Sequence, residues 1–368
     1  MVCIAAFIIL ALVGIVVAFL SIFKREIGKK YLAVFKKAWH CVFKKVRLQK
    51  CDTNFKDDVK NTVLKHVILK RPKLVKPLSI TIEIISVVIV LVTVWSIVIA
   101  IKSLLALWVF GTCNVSKPSE CSLTSIECSI DAEEPHNIFE QIGQNIGEWG
   151  QIFGGIPDRL KSWGKEDFSS LENLPVLNDN ASYEDLMKRE NVAFDIMDPG
   201  CVVCRSSYKN QLSSGFFDKY VTYIVVYPIE KPDGGYKFKN SLIASKYIIA
   251  TQIYATKDEK GLESPRLFYV SKLINKLFTG EDEKGKNFQE RDLNNEWGEE
   301  DVIKNFSSWL KEFGATEADI KEIERLISSK EVETALKKNK EIVDEKIHAK
   351  SIPTLIYDNR KHSGLYKG

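Results

Sequence analysis

Histidine is scarce in this sequence, with five residues among 368. They stand at His40, His66, His136, His348 and His362. They form no recognisable catalytic triad or pair of metal ligands, so hydrolytic chemistry has little support. The sequence also lacks a P-loop and a glycine-rich dinucleotide signature, so nothing indicates a nucleotide cofactor.

The first apolar segment has no basic residue before it. It runs from Cys3 to Phe23, 21 residues without a charge. As a helix it would span the roughly 30 Å hydrocarbon core of a bilayer. A cleaved signal peptide needs basic residues ahead of the apolar run and a small-residue cleavage site behind it. Neither is present, so residues 1–23 are predicted to form a retained transmembrane helix.

A second apolar segment covers residues 79–110. Its central part, Ile84 to Ile101, holds 18 uncharged residues, and Glu83 and Lys102 bracket it. Charged side chains at such positions can extend toward the lipid headgroups. Trp108 fits the aromatic belt of an outer membrane interface. We predict a second transmembrane helix here.

Charge is distributed unevenly between the segments. Residues 24–78 hold 17 Lys and Arg against 4 Asp and Glu, whereas residues 111–368 hold 34 against 43. Basic loops stay on the cytoplasmic side of a membrane. The sequence thus predicts a two-pass protein of the cell membrane, with its N-terminus and everything after Phe110 outside the cytoplasm. The basic loop could also attract nucleic acid, but a role in topology explains it, and no nucleic-acid partner is predicted.

The eight cysteines follow this topology. Cys113, Cys121, Cys128, Cys201 and Cys204 would lie outside, where disulfides persist, whereas Cys41 and Cys51 would lie in the reducing cytoplasm. Cys3 would lie at the outer edge of the membrane. Because five external cysteines are an odd number, one of them is left over or joins Cys3 or another chain, and the sequence fixes no pairing.

Two parts are predicted after the second membrane helix. Residues 111–182 read as a cysteine-containing linker with an amphipathic helix, which could lie on the membrane surface or pack on the domain that follows. Residues 183–368 have the pattern of an α/β domain. Strands at 191–198 and 221–229 flank a helix, and the chain ends in a strand-turn-strand pattern. The residues between them, 245–349, are mostly helical in pattern.

The stretch "DPGCVVC" places two cysteines where a strand gives way to a helix. A helix N-terminus stabilises negative charge, so the thiolate of Cys201 would be favoured there. Cys204, one turn further inside, could attack a mixed disulfide and release the partner. Cys201 is therefore expected to be exposed and Cys204 to lie inside. Asp198, or Asp195 on the strand, could carry a proton, although either could equally be structural.

Residues 183–368 resemble the DsbA-like branch of the thioredoxin-fold family. The resemblance rests on Asp198-x-x-Cys201-x-x-Cys204 at the start of a helix, on the helical insert, and on "SIPTLIYDN". It implies a thioredoxin-like fold with a helical insertion, in which a cis-proline strand lies beside the two cysteines. It also implies that Ile352, Pro353 and Thr354 bind an extended substrate segment, and that the Ile352–Pro353 bond is cis.

The resemblance further implies a membrane-anchored thiol-disulfide oxidoreductase that acts on cysteines of exported client proteins. Exchange would pass through a mixed disulfide at Cys201, resolved by Cys204, without metal or organic cofactor. A redox partner must reset the pair, for example a quinone-linked membrane protein if the direction is oxidation. The family's oxidases often have Pro-His between the cysteines; here Val202 and Val203 stand there. The direction of electron flow therefore stays open.

Two other classes compete with this interpretation. A Cys-x-x-Cys pair can be half of a zinc site, with Cys113, Cys121, Cys128 or His362 completing the ligand set. The domain could also be a non-enzymatic, membrane-tethered binding or chaperone module in which the pair is an inert crosslink. The reactivity of Cys201 separates the three classes, because a zinc ligand is protected until chelation and an inert bridge resists mild reductant.

Overall fold

The computed structural model describes residues 35–36, 38–40, 43–44, 47, 75–118, 137–171, 174–178, 186, 190–257 and 265–368. The chain divides into two compact units, Met1–Ile101 and Lys102–Gly368. The predicted first membrane helix lies outside the described residues, as do Cys3, Cys41, Cys51, Cys121 and Cys128.

Helices predominate over strands in the described part of the chain. The α-helices are α1 (Val75–Phe110), α2 (Ile138–Leu160), α3 (Val202–Ser213), α4 (Phe216–Lys219), α5 (Ser241–Thr256), α6 (Tyr269–Thr279), α7 (Glu299–Glu312), α8 (Glu317–Leu326) and α9 (Lys330–Glu341). The strands are β1 (Val192–Met197), β2 (Val221–Val226), β3 (Thr354–Tyr357) and β4 (Arg360–Ser363). Short 3-10 segments cover Lys165–Phe168 and Pro265–Phe268, and π-helices cover Phe288–Glu296 and Ile342–Ile347.

Helix α1 corresponds to the second apolar segment. Its stretch Lys76–Phe110 is long and apolar enough to cross a membrane, and its most apolar window of 18 residues has a mean hydropathy of 3.0. The hydroxyl groups of Thr81, Ser86 and Thr93 donate to the carbonyl four residues earlier, so the helix itself satisfies these polar groups. The predicted helix is therefore present, and it begins a few residues earlier than expected.

Helix α2 is the predicted amphipathic helix, and its inner face packs on the C-terminal end of α1. Asn137 caps it by accepting a hydrogen bond from the Glu140 backbone N–H. Lys102 forms an ion pair with Glu148, which lies on α2. The ammonium group of Lys102 therefore has a partner within the protein, and the expectation that it extends toward lipid headgroups stays a prediction. On the other face of α2, Phe139 is 85% exposed.

The domain is built on a four-stranded mixed sheet with the order β2-β1-β3-β4. Strands β1 and β2 are parallel and are joined through α3, whereas β3 runs antiparallel to both β1 and β4. Asp358 and Asn359 both have positive φ and form the tight turn between β3 and β4, a turn in which both residue types are favoured. The β-α-β unit and the strand-turn-strand pattern predicted from the sequence are both present, and the residues after β4 form no helix.

The insert between β2 and β3 is helical, as predicted, and begins at Ser241 rather than at residue 245. Helix α5 is its centre, with buried side chains on all sides and α6, α7, α8 and α9 packed around it. This burial explains why α5 lacks the one-sided apolar pattern of a surface helix. Tyr247 of α5 meets Phe306 of α7 edge to face, with ring centroids 5.3 Å apart.

Candidate functional site

Cys201 lies at the N-terminus of helix α3, at the end of the loop that follows β1. Pro199 disfavours helical backbone at Asp198, the residue before it. Residues 198–200 therefore form a loop after β1, and the helix begins at Val202. Cys201 is the N-cap, and its sulfur lies 3.3 Å from the backbone N–H nitrogen of Cys204. This is the position predicted for it, where N–H groups without helical partners face the sulfur.

Cys201 and Cys204 differ in their bonding state. Cys201 is disulfide-bonded, whereas Cys204 is a free, buried thiol. The bond at Cys201 therefore does not run to Cys204, and the two cysteines form no disulfide with each other in this structure. Cys201 was expected to be exposed, and this expectation is wrong, because its exposed fraction is 0% against 1% for Cys204.

The segment before β3 contributes to the burial of Cys201. The Ile352–Pro353 peptide bond is cis, as predicted. The Ile352 carbonyl oxygen lies 3.6 Å from the Cys201 sulfur. A disulfide sulfur carries no proton to donate, so this is a packing contact rather than a hydrogen bond. The cis-proline segment and the cysteine motif, about 150 residues apart in the chain, thus meet at one site.

Pro353 and Thr354, the other two predicted substrate-binding residues, are buried beside Ile352. The Pro353 carbonyl accepts a hydrogen bond of 2.8 Å from the Gly364 N–H, and the Thr354 hydroxyl donates to the Ser351 carbonyl at 2.8 Å. These contacts hold the segment in place. They leave the Ile352 carbonyl as the backbone group of this segment that faces the sulfur.

Cys204 shares its surroundings with the buried carboxyl group of Asp195. Burial raises the pKa of the Cys204 thiol well above its usual value, and the charges of Asp195 and Asp198 add to this effect. Burial also raises the pKa of Asp195 to about 7, although a hydrogen bond from Gln211 at 2.9 Å opposes the shift. A carboxyl group with a pKa near neutrality can accept a proton from a neighbouring thiol and return it.

Asp198 has a different environment, although it was predicted together with Cys201 and Cys204 as a catalytic residue. Its carboxylate accepts backbone hydrogen bonds of 2.7 Å from both Gly200 and Ile229, and a short hydrogen bond from the Ser241 hydroxyl. Burial nonetheless raises its pKa to about 6. These contacts connect the cysteine loop to the segment after β2 and to the start of α5, which gives Asp198 a structural task in addition to any role in proton transfer.

The insert contacts the cysteine loop through two amide side chains that the sequence analysis missed. Gln289 donates to the carbonyl oxygens of Pro199 and Cys201 at 2.7 and 2.9 Å, and Asn294 donates to that of Gly200 at 2.8 Å. We call these two residues the amide brace. They lie in the π-helix Phe288–Glu296. The stretch "NFQERDLNN" has no apolar periodicity, and its density of amides was the one visible signal.

The zinc alternative finds no support among the described residues, in which no three His, Cys, Asp or Glu side chains form a group able to hold a metal ion. Its other possible ligands, Cys121 and Cys128, fall outside them. His348 follows the π-helix Ile342–Ile347, and its Nδ1 lies 2.7 Å from the Asp158 carboxylate. His362 stacks on Tyr357 with ring centroids 4.0 Å apart.

Comparisons with known proteins give structural similarity only. The sequence matches no protein-family model and no curated protein. A thioredoxin-like oxidoreductase from Silicibacter pomeroyi DSS-3 is 13% identical, with a TM-score of 0.35 over 55% of this chain and 90% of that one. The MdbA protein, a thiol-disulfide oxidoreductase from Corynebacterium diphtheriae, is 12% identical, with a TM-score of 0.34 over 54% and 93%.

A third solved structure, a putative protein-disulfide isomerase from Pseudomonas syringae, is 15% identical and has a TM-score of 0.32, covering 50% of this chain and 93% of its own. All three TM-scores lie below 0.5. The functional conclusion therefore rests on the geometry of this chain.

Proposed function

We propose that this protein is a membrane-anchored thiol-disulfide oxidoreductase acting on cysteines of exported proteins. The observation that carries the proposal is the state of its two cysteines. Cys201, at a helix N-terminus, is bonded to a cysteine other than Cys204, and Cys204 remains a thiol one helical turn behind it. That is the covalent arrangement of a mixed-disulfide intermediate, with another cysteine in the place of a client's.

In the oxidising direction, a client thiolate attacks the Cys201 sulfur of the Cys201–Cys204 disulfide. The S–S bond of the pair breaks, Cys204 leaves as a thiolate and takes up a proton, and the mixed disulfide forms. A second client thiolate then attacks the client sulfur of that bond, and Cys201 leaves as a thiolate. The client gains a disulfide, and the pair gains two electrons. In the reducing direction Cys204 attacks Cys201, and every step runs backwards.

The surrounding residues have defined tasks in this scheme. The N-terminus of α3 and the Cys204 N–H stabilise the Cys201 thiolate. Asp195 accepts and returns the proton of the buried Cys204 thiol, and Asp198 holds the loop and serves as a second proton carrier. The Ile352 carbonyl offers a backbone acceptor to an extended client segment.

The proposed cellular setting follows from the two apolar segments. The chain would cross the cell membrane twice, with residues 24–78 in the cytoplasm and the N-terminus and the domain 183–368 outside. A separate redox protein would reset the pair after each cycle, and for an oxidase this would be a quinone-linked membrane protein. The reduction potential sets the direction: about −120 mV indicates an oxidase and about −270 mV a reductase.

Trapping of clients tests the proposal. Because Cys204 resolves the mixed disulfide, Cys204→Ser should accumulate disulfide-linked clients, seen as high-mass bands on non-reducing gels that disappear on reduction. Cys201→Ser should trap none, since it removes the attacked sulfur. Equal trapping by both variants would contradict the assigned order of attack. Trapping by neither would favour the non-enzymatic binding module.

A further inference from the structure

The helical insert contacts the cysteine loop at its three central carbonyl groups. The amide brace donates three hydrogen bonds, two from Gln289 and one from Asn294, to the carbonyls of residues 199, 200 and 201. No carbonyl of this run is left without a side-chain donor from the insert. The insert therefore donates a hydrogen bond to each of three consecutive carbonyl groups of the loop.

Neither amide gains all the hydrogen bonds that it could. The side-chain oxygens of Gln289 and Asn294 are buried, and neither has a hydrogen-bond partner among the residues that the structure describes. A buried acceptor without a partner destabilises the folded state. An apolar side chain at these positions would avoid that cost. The amide side chains therefore contribute through their N–H groups, which donate hydrogen bonds to the cysteine loop.

The geometry of the loop explains what those donors do. Carbonyl oxygens carry partial negative charge, and an oxygen turned toward Cys201 would disfavour its thiolate. The amide brace donates hydrogen bonds to the oxygens of residues 199–201, which fixes their orientation and offsets their partial negative charge. It also fixes the start of α3, where the Cys204 N–H lies 3.3 Å from the Cys201 sulfur. Both effects favour the thiolate of Cys201.

Two further contacts hold the loop and the start of α3 against the insert. The Arg205 guanidinium, one turn into α3, donates to Asn287 at 2.7 Å and to Glu290 at 2.8 Å, both in the same region of the insert. The Asp198 carboxylate holds the loop against Ser241 at the start of α5. The insert is thus positioned to transmit its own arrangement to the cysteine motif.

We propose that Gln289 and Asn294 are positioning residues through which the helical insert sets the reactivity of Cys201. This inference rests on the proposed function, in which Cys201 is the sulfur that forms the mixed disulfide with a client. The insert then acts as more than a cover over the site. It tunes the fraction of Cys201 present as thiolate by holding three backbone dipoles.

The test measures the thiol of Cys201 directly and needs no client. The full-length chain in detergent carries Cys204→Ser, is reduced, and is alkylated over a range of pH, with mass spectrometry reporting the rate at Cys201. Gln289→Met and Asn294→Leu keep the side-chain volume and remove the donors. We expect a rise of about half a unit or more in the pKa of Cys201, so that alkylation at neutral pH slows about threefold.

Gln252→Met is the matched control. Gln252 is also a buried glutamine whose side chain donates to a loop carbonyl, that of Leu174, and whose oxygen has no partner in the described chain. It should lower thermal stability to a similar extent and leave the alkylation profile of Cys201 unchanged. An unchanged profile in folded Gln289→Met, or an equal shift in Gln252→Met, would overturn the proposal. If Gln289→Met does not fold, Asn294→Leu, at a half-buried position, decides alone.

The outcomes also separate this inference from the proposed function. A shifted alkylation profile without client trapping by Cys204→Ser would retain the amide brace and reject the exchange reaction. Client trapping with an unshifted profile would retain the reaction and reject the brace.

Discussion

Asp195 is a buried acid whose ionisation opposes folding. Its pKa is raised from 3.8 to about 7, mainly by burial. Since the folded state holds the proton more tightly than the unfolded chain, folding loses stability as pH rises from about 4 to about 7, and the loss then stays constant. The largest loss that this shift allows is about 4 kcal/mol.

Asp195→Asn should therefore stabilise the protein little at pH 4 and most above pH 7, measured by denaturant unfolding. At the same time it should slow release of the mixed disulfide, because Cys204 loses its proton acceptor. Asp233→Asn, at an exposed turn, is the control and should change neither quantity. Equal stabilisation of Asp195→Asn at pH 4 and pH 8 would contradict the burial argument.

At the same scale, residue types predicted the site better than residue environments. The positions of Cys201 and Cys204, and the cis bond before Pro353, followed from the motifs. The burial of Cys201 did not, because it depends on Ile352 and on a disulfide to another cysteine, and neither can be read from the Cys-x-x-Cys spacing. The task of Asp198 likewise depends on two donors from distant segments, the Ile229 N–H and the Ser241 hydroxyl.

Among the elements, the cysteine loop and the insert approach each other closely at Gly200. A Cβ atom built there would overlap the Phe238 side chain and lie 3.1 Å from the Asn294 side-chain oxygen. Gly200→Ala must push the loop away from the insert, and we expect it to destabilise the fold by about 1–3 kcal/mol and to weaken the contacts of the amide brace.

Gly154→Ala in α2 is the control for that change, because nothing lies within 4 Å of its added Cβ. It should be neutral or stabilising by up to about 1 kcal/mol, since alanine favours a helix. Denaturant unfolding of both variants checks the pair, and a neutral Gly200→Ala would contradict the close packing described here.

The elements with strong local signals were predicted well. Strand β2 is a β-branched apolar run, and α7, α8 and α9 have one-sided apolar patterns with clear ends. The π-helix Phe288–Glu296 was missed because its hydrogen-bond pattern has no sequence period of its own and its packing is decided by the loop that it contacts.

On the scale of the whole molecule, the predicted topology is open to a direct test. Cys113, just after α1, should lie outside the cell, whereas Cys41 should lie in the cytoplasm. Intact cells are gently reduced, because Cys113 is disulfide-bonded, and treated with a membrane-impermeant thiol reagent. We expect labelling of Cys113 and not of Cys41. The reverse pattern would invert the topology, and labelling of both only after lysis would place the domain in the cytoplasm.

The free thiol of Cys204 behind the bonded Cys201 also has a kinetic consequence. A thiol in solution must meet the Cys201 disulfide by diffusion, whereas Cys204 is attached one turn away, at an effective concentration far above that of millimolar small thiols. The lifetime of any adduct on Cys201 is then governed by how often Cys204 loses its proton rather than by the supply of reductant. The adduct should persist at low pH and collapse within the chain as the pH rises, even in buffer that contains no thiol.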